Sequence, residues 1–257
     1  RPDGTRLAVP AADYAVRIHD AATGAETAVM RGHAADVRNL RFVADGASVV
    51  SISNDFTARR WNALTGEQET VFEGHRNFLI GMAVDPSGRL LATTSADWTT
   101  RIWELDTGRQ VGVAADYRGN PILPAFSADG SRLAVGTATG SVWIHEVPSW
   151  QTAATMRGHA DTVVGIAFAP DGERVITASY DGTVRSWLAD PVPSTTGTAT
   201  PGPGLDVTFG PEGERILVAD EAARLYDARS LDELAAFARL DDDVVAAAFH
   251  PRGDRIA

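Results

Sequence analysis

The chain has 257 residues of which 44% are hydrophobic, enough for one large all-β domain or two ordinary ones, and no run of 18 apolar residues offers a membrane-spanning helix. Thirty-four acidic residues against 23 basic ones give a net charge of −11 without any clustered cations, which argues against nucleic acid or an anionic membrane as the main partner. The lack of cysteine excludes a disulfide framework and a Cys-based zinc site, and fits a reducing, cytoplasmic setting.

Arg1 stands first, with no methionine and no signal-like apolar segment after it, so the chain reads as a segment of a longer one. Turn glycines then recur at Gly4, Gly46, Gly88, Gly130, Gly172, Gly213 and Gly253, at spacings of 42, 42, 42, 42, 41 and 40. The residues before them are turn formers: Pro2-Asp3, Ala44-Asp45, Pro86-Ser87, Ala128-Asp129, Pro170-Asp171, Pro211-Glu212 and Pro251-Arg252. Short alternating runs rich in Val, Ile, Leu, Thr and aromatics flank each turn. Within one period the pattern predicts strands over Leu79–Val84, Leu90–Thr94, Thr99–Glu104 and Gln110–Ala114. No stretch has helical periodicity.

Four strands per period of about 42 residues match one propeller blade. A lone four-stranded sheet leaves both apolar faces wet, whereas radial stacking buries each face against a neighbour. The first strand of each period ends in Phe42, Val84, Phe126, Phe168, Phe209 or Phe249, which are expected in the core.

Within this frame one pattern is written three times. Gly32-His33, Gly74-His75 and Gly158-His159 are each followed 22 residues after the histidine by Asp55, Asp97 and Asp181, and six residues later by Trp61, Trp103 and Trp187. The spacing, the Gly-His pairs and the Arg-Ile-Trp and Arg-Ser-Trp strands resemble the WD40-repeat family over the whole chain. The chain departs from that pattern in its closing dipeptide, because Asn62, Glu104 and Leu188 follow the tryptophans instead of aspartate.

The resemblance implies an all-β, WD40-type β-propeller of four-stranded antiparallel blades, with six periods present. The blade units fall at about 1–31, 32–73, 74–116, 117–157, 158–203 and 204–243, and 244–257 begins or completes a further blade. The blades are uneven. Residues 1–31 carry three strands with His19 at the tryptophan position. The fourth period has Tyr117-Arg118-Gly119-Asn120 in place of Gly-His, with Thr139 and His145 at the Asp and Trp positions. The sixth keeps Asp220 and Tyr226 without Gly-His. Between Asp190 and Gly204 a Pro-, Thr- and Gly-rich stretch is expected to replace the outer strand with a proline-blunted edge.

The resemblance also implies hydrogen-bonded structural tetrads: His33, Ser51, Asp55 and Trp61; His75, Thr93, Asp97 and Trp103; His159, Thr177, Asp181 and Trp187. A hairpin turning at Asp97 is expected to set Thr93 roughly opposite Trp103. Hydroxyl, imidazole and carboxylate have the composition of a catalytic triad, but an active site need be built only once, and three copies favour a structural brace. No catalytic, metal or cofactor site is expected. The three histidines lie in different blades and cannot converge on one ion, Asp241-Asp242-Asp243 lack a loop glycine or a bidentate Glu to complete a calcium cage, and Asp206, within a first strand, is a single carboxylate that does not make a site.

The resemblance therefore implies a non-catalytic scaffold that binds protein or peptide partners on the face carrying the Gly-His loops. Candidate contacts are Asp36, Arg38 and Asn54; Phe78, Ile80 and Ala96; and Thr162, Val164 and Tyr180, with Trp98 as an exposed indole after a hairpin Asp. Phe78 and Tyr180 are the expected anchors. The alternative is a sensor or regulatory propeller in a multidomain bacterial signalling protein fused to an NTPase or Ser/Thr kinase. An enzymatic propeller with a channel site ranks third.

Overall fold

A computed structural model describes residues 3–43, 46–189, 195–199, 206–219, 222–237, 247–249 and 256. Among these residues there is no helix. Six antiparallel sheets follow one another along the chain, one of three strands and five of four. The first comprises β1 (Arg6–Pro10), β2 (Val16–Asp20) and β3 (Glu26–Met30). The second is β4 (Val37–Phe42), β5 (Ser48–Ser53), β6 (Ala58–Asn62) and β7 (Gln68–Phe72), and the third is β8 (Leu79–Val84), β9 (Leu90–Ser95), β10 (Thr100–Glu104) and β11 (Gln110–Ala114). The fourth is β12 (Pro121–Phe126), β13 (Arg132–Thr137), β14 (Ser141–Glu146) and β15 (Thr152–Arg157). The fifth is β16 (Val163–Phe168), β17 (Arg174–Ser179), β18 (Val184–Leu188) and β19 (Thr195–Ala199). The sixth is β20 (Asp206–Phe209), β21 (Arg215–Ala219), β22 (Ala223–Asp227) and β23 (Glu233–Ala236). Every sheet is an up-and-down meander whose neighbours in sequence are neighbours in space.

The chain divides into two compact units, Arg1–Asp116 and Tyr117–Ala257. In the first, the second blade packs one face on the first blade, through Ile18, Met30, Val49 and Trp61, and the other on the third, through Ile52, Phe72, Leu79 and Trp103. In the second unit, Ile144, Val163 and Trp187 join the fourth and fifth blades, and Ile176, Val207 and Tyr226 join the fifth and sixth. This double-sided burial explains the second strands, whose sequences SVVSIS and LLATTS are apolar or small on both faces and buried almost throughout. Within each unit an arginine that begins a strand donates to a backbone carbonyl of the next blade: Arg6 at the start of β1 to Ala63, Arg132 at the start of β13 to Ala189 and Arg174 at the start of β17 to Ala228, at 3.2, 3.0 and 2.6 Å.

The last residues of the first strands are less buried than the sequence suggests. Phe168 is buried, but Phe42, Val84, Phe126, Phe209 and Phe249 are only half-buried. Their strand partners Val49, Leu91, Leu133 and Ile216 (those of Phe42, Val84, Phe126 and Phe209) occupy the centre of the stacked interface and leave them its margin. A second correction concerns the fifth blade, whose outer strand is present: β19 pairs with β18, Val184 facing Ala199 and Trp187 facing Thr195. Backbone pairing needs no large side chain, so Thr-Thr-Gly-Thr-Ala is able to form a strand. Pro2, Ala44-Asp45, residues 190–194, Asp220, Asp241-Asp242-Asp243 and residues 251–253 lie outside the described residues.

Candidate functional site

Each tetrad is assembled from three stretches of one blade. The Gly-His loop precedes the first strand, the hydroxyl sits on the second, and the aspartate turns the hairpin into the third strand, which carries the tryptophan. His33 places Nδ1 2.8 Å from Asp55 Oδ2 and Nε2 2.7 Å from Ser51 Oγ, and the Trp61 indole N–H donates to the same hydroxyl at 2.8 Å. The third blade repeats this with His75, Asp97, Thr93 and Trp103 at 2.9, 2.8 and 2.9 Å. The fifth does so with His159, Asp181, Thr177 and Trp187 at 3.0, 2.7 and 2.8 Å.

Thr93 is not opposite Trp103 as the hairpin argument suggests. Thr93 faces Arg101 and Trp103 faces Leu91, so the indole reaches its hydroxyl diagonally. A register shift just before the tryptophan, between Ile102 and Trp103, re-aims the ring. The same shift precedes Trp61, Trp187 and the equivalent His19, His145 and Tyr226.

Two further residues per hairpin belong to the brace. Thr57, Thr99 and Thr183 each donate backbone N–H and hydroxyl to the aspartate's Oδ1, and Ser53, Ser95 and Ser179 each accept the aspartate N–H. Ala34, Arg76 and Ala160 give backbone N–H groups to Oδ2. Burial opposes ionisation of Asp97, but hydrogen bonds from Thr99, Arg76 and His75 outweigh it and hold the pKa down at about 2. Asp55 and Asp181 are displaced in the same direction against the same opposing burial, Asp55 chiefly by His33 and Asp181 chiefly by Thr183. Burial lowers the pKa of His75 and His159 despite their aspartates, so both rings are neutral.

These distances place a hydroxyl, an imidazole and a carboxylate in the order of a Ser-His-Asp triad. Access rules out nucleophilic attack. Ser51, Thr93 and Thr177 are 0% exposed, and each oxygen already accepts an indole N–H. The fourth blade reaches the same end with different groups. Tyr117 takes the place of the loop histidine and His145 that of the tryptophan, with the phenol oxygen 3.0 Å from His145 Nε2. Burial pushes the His145 pKa down to about 4. In the first blade, Asp13 instead binds Arg17 and Arg31, and His19 is half-buried. Among the described residues no group of three His, Asp or Glu side chains could hold a metal ion.

The candidate partner contacts surround these braces. Asp36 and Asn54, Phe78 and Ala96, and Thr162 and Tyr180 are joined in pairs by backbone hydrogen bonds of 2.9, 3.0 and 3.1 Å. Arg38, Ile80 and Val164 are the extra residues of register shifts in the first strands: Val37 faces Ser53 and Asn39 faces Ile52, with Arg38 unpaired between them. Leu79 and Gly81 flank Ile80, and Val163 and Gly165 flank Val164, in the same way. The Arg38 guanidinium lies 5.2 Å above the half-buried Phe78 ring. Tyr180 and Trp98 are exposed, whereas the Thr162 hydroxyl is occupied by the Ala138 carbonyl. Sequence reasoning passed over Tyr14 and Phe56, exposed aromatics that follow the hairpin aspartates of the first two blades as Trp98 does that of the third. Their common spacing of 42 was the available signal.

A family model described as "WD domain, G-beta repeat" matches residues 24–62, 66–104 and 150–187. Each match starts just before the outer strand of one blade and ends on the third strand of the next, so sequence repeat and sheet are out of phase by one strand. No curated protein matches the chain.

Proposed function

The chain is a WD40-repeat protein, and on that footing we propose that it is a non-catalytic platform for protein or peptide partners, which bind beside the Gly-His loops. WD40 repeats generally mediate protein–protein interaction, and the family is typically non-catalytic. The observation that carries the reading is the repeated register shift at Arg38, Ile80 and Val164. A bulge takes one residue out of the ladder and turns its side chain away from the packed faces. Beside these residues stand Phe78 and the exposed Tyr180. Aromatic and arginine side chains on rigid hairpins supply interface energy at small entropic cost. The net charge of −11 favours a protein partner over a nucleic acid.

The test compares the wild-type chain with the Phe78→Ala/Tyr180→Ala variant as bait, cross-linking bound proteins and quantifying them by mass spectrometry. The variant is expected to lose its specific partners while its melting temperature stays within about 2 °C, since both side chains lie outside the main core. Partners retained at wild-type level would show that neither Phe78 nor Tyr180 carries the binding.

A further inference from the structure

Among the described first strands, β4 of the second blade alone carries cations. Its sequence VRNLRF exposes Arg38, Asn39 and Arg41, whereas β8, β12, β16 and β20 hold no basic residue. Neither guanidinium meets a carboxylate or another hydrogen-bond acceptor among the described residues. By contrast, Arg17, Arg31, Arg60 and Arg109 of the same unit are each bound to an Asp or Glu.

Arg38 is also held in place. Its guanidinium lies over the Phe78 ring of the next blade at 5.2 Å, a contact that restrains a long side chain and uses none of its N–H groups in a hydrogen bond. Asp36 stands two residues away with an exposed carboxylate, yet no ion pair joins the two. An arginine restrained by a ring with its donors open is a fork for a planar carboxylate, which accepts two N–H groups side by side. The loops beside β4 carry both signs, Asp36 and Glu73 against Arg76, and select no charge. The strand does, because over about 10 Å from Arg38 to Arg41 its only charges are positive. Most of the net charge of −11 belongs to residues of the Tyr117–Ala257 unit, which leaves the Arg1–Asp116 unit closer to neutral. β4 is the end strand of its sheet, so a segment lying along its free side meets no other strand of that blade.

We propose that β4 receives an extended acidic segment of a partner protein, one carboxylate bound in the fork of Arg38 and a second, about three residues along, paired with Arg41. A carboxylate suits the site better than a phosphate, because one guanidinium beside Asp36 neutralises one negative charge and not two. This gives the partner's chemistry for the platform proposed above and rests on that reading.

A phage-displayed library of random twelve-residue peptides is selected on the full chain, and the enriched peptide is titrated by fluorescence anisotropy. Enriched sequences are expected to share Asp or Glu at two positions. Changing those acids to Asn or Gln in the peptide, or Arg38→Gln/Arg41→Gln in the protein, is expected to weaken binding at least tenfold. Both arginines are exposed, so this variant is expected to melt as wild type does. The Arg38→Glu/Arg41→Glu variant is expected to bind a peptide whose acids are changed to arginine within tenfold of the original pair, a rescue that a misfolded protein could not give. Phosphoserine in place of the acids is expected to bind no tighter. Enriched sequences without acids, undiminished binding by Arg38→Gln/Arg41→Gln, failure of the exchanged pair, or tighter phosphoserine binding overturns the proposal. A selected peptide that carries no acid but is lost in Phe78→Ala/Tyr180→Ala would sink the β4 site and leave the platform reading standing. Enrichment of no peptide also overturns the β4 site, while the platform answers to its own cross-linking test.

Discussion

The Trp61 indole N–H donates to the Ser51 hydroxyl at 2.8 Å, and this bond ties the third strand into the tetrad. An indole can only donate, so Ser51 accepts from it, and a carboxylate can only accept, so His33 Nδ1–H donates to Asp55, which leaves the Ser51 hydroxyl and His33 Nε2 to bond each other. Donors and acceptors are matched from end to end with no group left over. Ser51→Ala strands two buried groups and is expected to cost about 1–3 kcal/mol for each of them. Thr93→Val should cost as much in the third blade, whereas Thr93→Ser, which copies the second blade, should stay within about 1 kcal/mol. Urea unfolding midpoints of the three variants check this ranking.

Acid should destabilise the protein in two stages. His75 and His159 have pKa values below their ordinary 6.5, so the unfolded chain takes up protons there that the folded chain refuses, and stability falls as pH drops below that value. Asp97, lowered from 3.8 to about 2, contributes stability above pH 3.8 that is lost as pH falls through about 2. Unfolding free energy measured from pH 7 to pH 2 should therefore decline throughout, and Asp97→Asn should remove part of the lower stage while steepening the upper one, because Asp97 is what holds the His75 pKa up against burial.

His145 should dominate the upper stage in its blade. It is 2% exposed, and a displacement from 6.5 to about 4 corresponds to about 3 kcal/mol of stability lost between those two pH values. His145→Phe gives up the bond to Tyr117 and lowers stability at pH 7, yet its stability should depend less on pH across that range. An equally steep slope in the variant would show that His145 does not titrate there.

Gly24 and Gly66 occupy the same turn in successive blades, with φ of 72° and 77°. A Cβ on Gly66 would sit 2.5 Å from the Val29 carbonyl oxygen, whereas one on Gly24 would meet nothing within 4 Å. Gly24→Ala should cost only the backbone strain, about 1 kcal/mol. Gly66→Ala should cost about 2 kcal/mol more, because the turn must retreat from the neighbouring strand. Thermal unfolding of the two variants gives the comparison.

The period and the strands were legible because each blade repeats the same apolar alternation, and the tetrad members stand out by their fixed separations. Thr99 and Ser95 were no harder to see, since both recur two residues from every tetrad aspartate, but their roles emerge only once the hairpin is closed. Ser186 and Trp187 illustrate what could not be read. The register shift between them depends on the partner strand, and alternation within a single strand carries no information about it. Tyr117 and His145 exchange roles across 28 residues, a compensation visible only in space. The positive φ of Tyr14 and Phe56 was hidden for a similar reason, because a sequence shows neither φ nor exposure.

The guanidinium-to-carbonyl bonds of Arg6, Arg132 and Arg174 answer to a different chemistry from the tetrads. Arginine does not lose its proton, and a peptide carbonyl does not take one up, anywhere in the range where the tetrad histidines and aspartates titrate. Within each unit the links between these blades are therefore indifferent to acid, while the fastenings inside the tetrad-bearing blades are not. On acidification each unit is a stack whose leaves loosen individually before the stitching between them fails.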